Sequence, residues 1–232
     1  VAETLLQHDV KVIFTLCGGH ISPILVACRE KGIRVVDVRH EATAVFAADA
    51  VSRLSPAIGV AAVTAGPGLT NTLTAVKNIQ MAQVPVLLLG GATATILKGR
   101  GSLQDIDQMA LLRPLTKHQA LVKRVKDIAN EINKAIIIAQ SDVPGPVFVE
   151  LPLDLLYPQD LVRELYGLNT DDQKRPWWME KYLQRNLNRI FNGFETTPKP
   201  VPEITCPMPI PSAMRKASDM MFNSKRPVLL VG

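Results

Sequence analysis

Glu41 is the side chain of this sequence whose type and position most clearly suggest a chemical role. It follows an apolar run that ends at Val38, and it opens a segment of small and apolar residues from Ala42 to Ala48. A helix that is apolar on nearly every face is buried, so we expect Glu41 at the rim of a buried zone. Two interpretations stay open. The carboxylate either stabilises a helix N-terminus by less than about 1 kcal/mol or exchanges a proton with a ligand in a site poor in water.

Two further polar side chains, His20 and Gln104, lie in other predicted loops. Each of them alone is more simply explained as a polar side chain whose hydrogen bonds are satisfied within the protein. Three polar groups that converge on one crevice are typical of a ligand site. We therefore treat Glu41, His20 and Gln104 as candidate catalytic residues.

Three glycine-containing turns, at 17–19, 66–68 and 90–91, follow apolar runs. Such turns let a ligand approach the backbone closely. The sequence contains neither a P-loop nor a Gly-x-Gly-x-x-Gly after its first predicted strand. It also lacks a Gly-x-Ser-x-Gly nucleophile elbow, and its carboxylates are not paired at metal-ligand spacing. No metal ligand is therefore assigned.

The apolar runs alternate with helical patterns along the first two thirds of the chain. Strands are predicted over 12–16, 33–38, 58–64, 85–89 and 146–151, and helices over 22–31, 41–54, about 70–82 and 127–139, with a loop over 90–101. Continuously apolar strands between helices indicate a parallel sheet that is covered on both faces. We expect one doubly wound α/β domain over residues 1–157, with ligands at the carboxyl ends of the strands.

The composition excludes several classes of protein. The 232 residues carry a formal charge of +5, but the Lys and Arg residues are scattered and aromatic residues make up only 5%. A nucleic-acid binder usually shows a basic stripe with stacking aromatics, so we predict no nucleic-acid partner. The cysteines Cys17, Cys28 and Cys206 are odd in number and widely spaced, which favours reduced thiols.

The region 158–211 is rich in proline and is predicted to be a linker. Within it, apolar residues recur at helical spacing: Trp178, Leu183, Leu187, Ile190, Phe191 and Phe194. Such a helix packs on its own protein or lies on a membrane surface. Residues 212–232 are predicted to be the first helix and strand of another domain. Because the sequence starts with Val1 inside a helical pattern, we expect a piece of a longer protein.

Several motifs occur in a characteristic order: Gly18-Gly19-His20, Arg39-His40-Glu41, Thr64-Ala65-Gly66-Pro67-Gly68 with Asn71, Leu103-Gln104, and Pro144-Gly145-Pro146 through Pro152. This set resembles the pyrimidine-binding domain of thiamine-diphosphate enzymes of the acetolactate synthase group. The segment from Gly101 to Gln108 also resembles oxalyl-CoA decarboxylases and 2-hydroxyacyl-CoA lyases. Acetolactate synthases typically have a proline at the position of Cys17 and no histidine at that of His20, which favours a lyase.

The resemblance implies roles for individual residues. The Glu41 carboxyl would hydrogen-bond the aminopyrimidine ring of thiamine diphosphate and promote loss of the thiazolium C2 proton. His20 and Gln104 would orient the substrate hydroxyl or carbonyl. The implied cofactor contacts are Glu41, Gly18, Gly19, Thr64, Pro67 and Asn71. The implied Mg²⁺ would be held by a domain with a Gly-Asp-Gly motif, which this sequence lacks, and FAD is left open.

The implied reaction is cleavage of a carbon–carbon bond, with a 2-hydroxyacyl-CoA giving formyl-CoA and an aldehyde one carbon shorter. Acetolactate synthase-type carboligation of 2-oxoacids and a non-catalytic homologue are the alternatives. The resemblance also implies an acyl-CoA-type substrate and a homodimer or homotetramer with the site between subunits. It further implies location in the endoplasmic reticulum membrane through a segment outside this sequence. The chain alone is expected to be inactive.

Overall fold

Six parallel strands form the centre of the structure, a computed structural model that describes residues 1–168, 176–193, 204 and 208–230. Their order in the sheet is β2-β1-β3-β4-β6-β5. The strands are β1 (Val12–Leu16), β2 (Arg34–Asp37), β3 (Gly59–Val63), β4 (Val86–Ala92), β5 (His118–Leu121) and β6 (Val147–Pro152).

Helices connect these strands and continue beyond the sheet. They are α1 (Ala2–Gln7), α2 (Ser22–Glu30), α3 (Glu41–Leu54), α4 (Pro67–Thr70), α5 (Leu73–Met81), α6 (Gln108–Leu112), α7 (Ile128–Gln140), α8 (Gln159–Leu165), α9 (Trp177–Phe191) and α10 (Pro211–Phe222). Short 3-10 turns cover Val125–Asp127 and Leu153–Leu155.

The sheet is buried on both faces. Along β3, Val60 and Ala62 pack in the cluster that contains residues of α1, α2 and α7. Ala61 and Val63 pack in the opposite cluster, with residues of α3 and α5. Successive side chains of a strand point to opposite faces, so a continuously apolar strand contributes side chains to the apolar layers on both faces of the sheet. The predicted doubly wound α/β fold is confirmed.

The strand order reverses at β1, because the chain passes from β1 to β2 on one side of it and then returns to β3 on the other side. β1 pairs with β2 on one side and with β3 on the other. The loops that follow two such strands diverge and leave a crevice at their carboxyl ends, where ligands of open α/β sheets bind. The turns at 17–19 and 66–68 follow these two strands.

Two strand predictions need correction. The predicted loop over 90–101 begins later, because Gly90 and Gly91 belong to β4, opposite Glu150 and Leu151 of β6. The sheet accommodates a glycine at position 90 because the Phe148 ring fills the space that a side chain would take. The ring's Cε2 atom lies 2.5 Å from where a Cβ of residue 90 would stand. Strand β5 was missed, since its short, half-polar sequence at the sheet edge gives a weak strand signal.

Two helix predictions also need correction. The helix predicted over about 70–82 begins later, at Leu73, as α5, and a short separate helix, α4, precedes it and was not predicted. Helix α3 is not buried on nearly every face, because Thr43, Phe46 and Ala50 are exposed. The helix lies in an outer layer, with one side on β1, β3 and α5 and the other side towards solvent.

The region after the sheet contains more regular structure than a linker prediction implies. α8 was not predicted, and α9 buries Leu187 and Ile190 against the rest of the protein. This packing favours the first of the two interpretations of that helix. None of the helices in the described ranges has the length and apolar character needed to cross a bilayer. Phe194 and Cys206 lie outside the described residues.

The predicted final helix is confirmed as α10, but the strand expected after it is not formed over 226–230. Val228 and Leu230 are exposed there. A strand needs a neighbour to accept and donate its backbone hydrogen bonds, and this segment pairs with none within the described part of the chain. The domain boundaries themselves stay predictions.

Candidate active site at the carboxyl ends of the strands

Glu41 is held at the first turn of α3 by the sequence around it. The chain leaves β2 at Asp37, and His40 caps the helix, its Nδ1 accepting a hydrogen bond of 3.1 Å from the Ala42 amide. This cap fixes Glu41 as the first helical residue. The Glu41 side chain is only 7% exposed, so its carboxylate lies in a region with little water, as predicted.

Asn71 and Gly68 surround the Glu41 carboxylate. Asn71 Nδ2 donates a hydrogen bond of 2.9 Å to Glu41 Oε2. A Cβ at position 68 would lie 3.5 Å from Glu41 Oε1 and only 2.6 Å from the Thr64 Cγ2. The absence of a side chain at Gly68 therefore brings the turn after β3 against the second carboxylate oxygen.

Thr64 joins this turn to the loop after β1. A Cβ at Gly18 would stand 2.4 Å from the Thr64 Cβ, so only glycine permits this approach. The Thr64 Oγ1 also lies 3.2 Å from His20 Nδ1, at hydrogen-bonding distance. The structure thus connects Glu41, Gly68, Thr64, Gly18 and His20 through successive contacts.

His20 is half-buried in the crevice. Desolvation lowers the pKa of its imidazole below the usual value, which favours the neutral ring at neutral pH. Gly91, near the end of β4, lies directly behind it, because a Cβ there would come within 2.6 Å of the His20 Cβ. The backbone and Cβ of His20 therefore pack against strand β4, and its ring lies at hydrogen-bonding distance from Thr64.

Gln104 reaches the same end of the sheet through a different contact. Its backbone φ is +63°, and its Cβ lies 2.9 Å from the position of a Cβ on Gly66, which itself has a φ of +65°. The left-handed conformation and the close contact together require glycine at 66. Gln104 thus lies against the turn that faces Glu41. Over the described ranges, no hydrogen bond joins the two side chains.

Gly19 and Pro67, the remaining predicted cofactor contacts, are exposed at the rim. Pro67 is the first residue of α4, where its fixed φ suits a helix start. Around Gly19, a Cβ would meet no described atom within 4 Å. Their roles towards a cofactor stay predictions.

A buried polar cluster beside the site was missed by sequence reasoning. Gln108 accepts a hydrogen bond of 3.2 Å from the Gly66 amide and donates to the Gly91 carbonyl (3.0 Å) and to Glu150 Oε2 (3.1 Å). Glu150 also binds Lys98 Nζ at 2.6 Å. The available signal was Glu150 itself, because a carboxylate in a buried strand must be paired.

Glu41, Asn71 and Gly68 fit the pyrimidine end of a thiamine cofactor. A ring nitrogen that shares a proton needs one carboxyl oxygen in a site poor in water. Asn71 occupies Oε2, and the glycine at 68 leaves Oε1 uncovered by a side chain from that turn. Among the described residues, no three His, Cys, Asp or Glu side chains are grouped to hold a metal ion.

Comparison with known proteins decides the family. Residues 1–111 match the family model described as thiamine pyrophosphate enzyme, N-terminal TPP binding domain. The chain belongs to the thiamine pyrophosphate enzymes. This family's cofactor is the thiamine diphosphate named above, and the finding confirms the resemblance that the motifs around Glu41 indicated.

Proteins named 2-hydroxyacyl-CoA lyase 2 are similar to this chain over all of its residues. The protein from Danio rerio is 53% identical and that from Homo sapiens 51% identical, each over 100% of this chain. The acetolactate synthase large subunit IlvG of Mycobacterium tuberculosis is 32% identical, again over 100% of the chain. The chain spans 38%, 37% and 37% of these three relatives, a little over a third of their length.

Proposed function

We propose that the protein containing this chain is a thiamine-diphosphate-dependent lyase. It cleaves a 2-hydroxyacyl-CoA into formyl-CoA and an aldehyde one carbon shorter. The observation that carries the proposal is the buried Glu41 carboxylate, held by Asn71 beside Gly68. It lies in a chain 53% identical to a protein named 2-hydroxyacyl-CoA lyase 2.

Glu41 would hold the cofactor's pyrimidine and share a proton with it. Because Asn71 engages Oε2, Oε1 is the oxygen available to the ring nitrogen. The buried position excludes water and strengthens this contact. When bound, thiamine diphosphate supplies a nucleophilic carbon and accepts the electron pair released by carbon–carbon cleavage.

His20 and Gln104 would bind the substrate rather than the cofactor. The lowered pKa keeps the His20 imidazole neutral, so the ring can accept a hydrogen bond from a substrate hydroxyl. Gln104, fixed over Gly66, offers an amide donor for a carbonyl oxygen. Together the two side chains would orient the scissile bond.

The remaining parts of the proposal concern the whole protein. We propose that residues outside this chain hold Mg²⁺, that the substrate is an acyl-CoA, and that a homodimer or homotetramer completes the site. We also propose location at the endoplasmic reticulum membrane, and FAD binding is left open. Subcellular imaging of the full-length protein tests the location, and its mass in solution tests the assembly.

Carboligation of 2-oxoacids is the second candidate function. It is favoured by the 32% identity to an acetolactate synthase large subunit. His20, which such synthases typically lack, favours the lyase. The same protein preparation decides between them, because a synthase forms acetolactate from pyruvate.

The test uses the full-length protein with thiamine diphosphate, Mg²⁺ and a 2-hydroxyacyl-CoA, and it measures aldehyde and formyl-CoA. We expect both products from the wild type and a loss of about 10²-fold or more in Glu41→Gln. Glu30→Gln, at the exposed end of α2, is the matched control and should retain activity. Full activity in Glu41→Gln contradicts the role of Glu41, and acetolactate without aldehyde contradicts the lyase.

A further inference from the structure

An apolar cleft, here called the linker cleft, lies between the loop after β4 and helices α8 and α9. Its volume is about 470 Å³, within the range of small-molecule sites. Apolar and aromatic side chains form most of its lining, among them Ile96, Leu97, Leu165, Trp178, Met179 and Tyr182.

A buried hydrogen-bond network fixes the walls of the linker cleft. Asp154 accepts hydrogen bonds from the Thr95 amide (2.9 Å), the Thr95 hydroxyl (2.6 Å) and the Tyr166 hydroxyl (2.6 Å). Asn186 of α9 donates to the same Tyr166 hydroxyl at 3.2 Å. The loop, α8 and α9 are therefore tied together at the base, so the cleft is formed before any ligand arrives.

The lining is exposed although it is apolar. Leu97 is 44% exposed, Tyr182 49% and Trp178 56%. Large apolar side chains that surround one concave surface commonly mark a ligand groove. Apolar groups buried on a ligand are stabilised in proportion to the area removed from water, so an alkyl chain is the chemistry that this surface fits.

Arg100 adds a positive charge to the lining. Within the described ranges, its guanidinium makes no ion pair. An unpaired guanidinium favours phosphate or carboxylate groups. The linker cleft thus combines an apolar surface with one site for an anion, as a ligand with an alkyl chain and an anionic group requires.

One loop connects the linker cleft to the candidate active site. Leu97 and Arg100 line the cleft, and Gln104, four residues after Arg100, lies against Gly66. The loop is closed on itself by a hydrogen bond of 2.9 Å from the Thr93 hydroxyl to the Ser102 hydroxyl. A ligand in the cleft and a substrate at Gln104 therefore contact the same short segment.

We propose that the linker cleft binds the alkyl chain of a long-chain acyl-CoA and that Arg100 contacts an anionic group of the same molecule. The identification of that molecule as substrate rests on the proposed function. The binding of an alkyl chain with an anionic group in the cleft does not rest on the proposed function, since the cleft and the cofactor contacts are formed by different residues.

The test measures equilibrium binding of palmitoyl-CoA and butyryl-CoA to the full-length protein without thiamine diphosphate, below the micelle concentration. Neither ligand has the 2-hydroxyl group, so no turnover intervenes. We expect palmitoyl-CoA to bind about tenfold more tightly or better. Leu97→Asp should remove this advantage and leave butyryl-CoA binding unchanged, whereas Leu54→Asp, at an exposed leucine of α3, should retain it. Arg100→Gln should weaken both ligands equally, and Arg113→Gln should weaken neither.

Equal affinity of the wild type for the two ligands, or an undiminished advantage in Leu97→Asp, overturns the proposal. It is also overturned if Leu97→Asp weakens binding to phosphatidylcholine–phosphatidylserine vesicles and leaves the acyl-CoA preference intact, because the surface is then a membrane contact. Chain-length-dependent binding without lyase activity contradicts only the proposed function. Lyase activity without chain-length preference contradicts only the cleft.

Discussion

Two buried glutamates at the same end of the sheet, Glu41 and Glu150, have opposite surroundings. Glu150 is 1% exposed and is bound by the Lys98 ammonium at 2.6 Å and by the Gln108 amide at 3.1 Å. Glu41 is similarly buried, but the side-chain amide that donates a hydrogen bond to it belongs to an exposed residue, Asn71, and a glycine faces its other oxygen. Burial alone therefore does not mark a reactive carboxylate. The chemistry of the partners separates a structural carboxylate from one that can exchange a proton.

Gln108→Leu should produce the largest loss of stability around Glu150. The change leaves the Gly66 amide and the Gly91 carbonyl without their partner and removes one of the hydrogen bonds to Glu150. Each unsatisfied buried group costs about 1–3 kcal/mol, so we expect the free energy of unfolding to fall by at least about 2 kcal/mol. Urea denaturation measures the change.

The control for this variant is Gln159→Leu, at the exposed start of α8, which should leave the unfolding midpoint unchanged. An unaltered midpoint in Gln108→Leu would mean that the cluster beside Glu150 does not hold the turn at Gly66. The structural role assigned to Glu150, on which the distinction between the two glutamates depends, would then be contradicted.

Lys98→Met should have a smaller effect on stability. It removes the ammonium from Glu150 and leaves a buried carboxylate with its amide partner alone. The lysine is 39% exposed, so solvent weakens the pair, and we expect a loss of about 1–2 kcal/mol in the free energy of unfolding. Lys11→Met, at an exposed surface pair, should cost less than about 0.5 kcal/mol. Equal costs for the two variants would show that the charge on Lys98 does not stabilise Glu150.

His20→Gln should have the smallest effect, visible as a change in pH dependence. Because burial lowers the pKa of His20, the unfolded chain binds more protons than the folded chain below the ordinary pKa of 6.5. The free energy of unfolding therefore decreases as the pH falls from 6.5 towards the lowered pKa of the folded state. His20→Gln should reduce the slope over this window.

Part of the slope should persist in that variant, because burial also lowers the pKa of His118. Unfolding curves at a series of pH values, with the double variant His20→Gln/His118→Gln as reference, separate the two contributions. An unchanged slope in His20→Gln contradicts the burial of the imidazole in the crevice.

The sequence predicted the elements whose signals are local. The helix start at Glu41, the apolar strands and the glycine turns all follow from residue type and spacing, and they placed Glu41 and His20 at one crevice. Glycines 90 and 91 were assigned to a loop because their strand position depends on the Phe148 ring and on His20, which are distant in sequence. Long-range packing of this kind leaves no periodic signal.

The buried polar cluster could not be predicted for the same reason. Gln108, Glu150 and Lys98 are brought together only by the sheet order and by the loop after β4. The linker cleft likewise depends on the docking of α9 through Asn186 and Leu187, which helical spacing alone does not position.

The most direct test of Glu41 as the proton-exchanging carboxylate is hydrogen–deuterium exchange at C2 of thiamine diphosphate bound to the full-length protein. Quenched-flow NMR measures the exchange rate in the wild type, Glu41→Gln and Glu150→Gln, each at saturating cofactor. We expect a fall of about 10²-fold or more in Glu41→Gln and an exchange rate close to wild type in Glu150→Gln. Wild-type exchange in Glu41→Gln, or an equal fall in both variants, would contradict the assignment of the reactive carboxylate to Glu41.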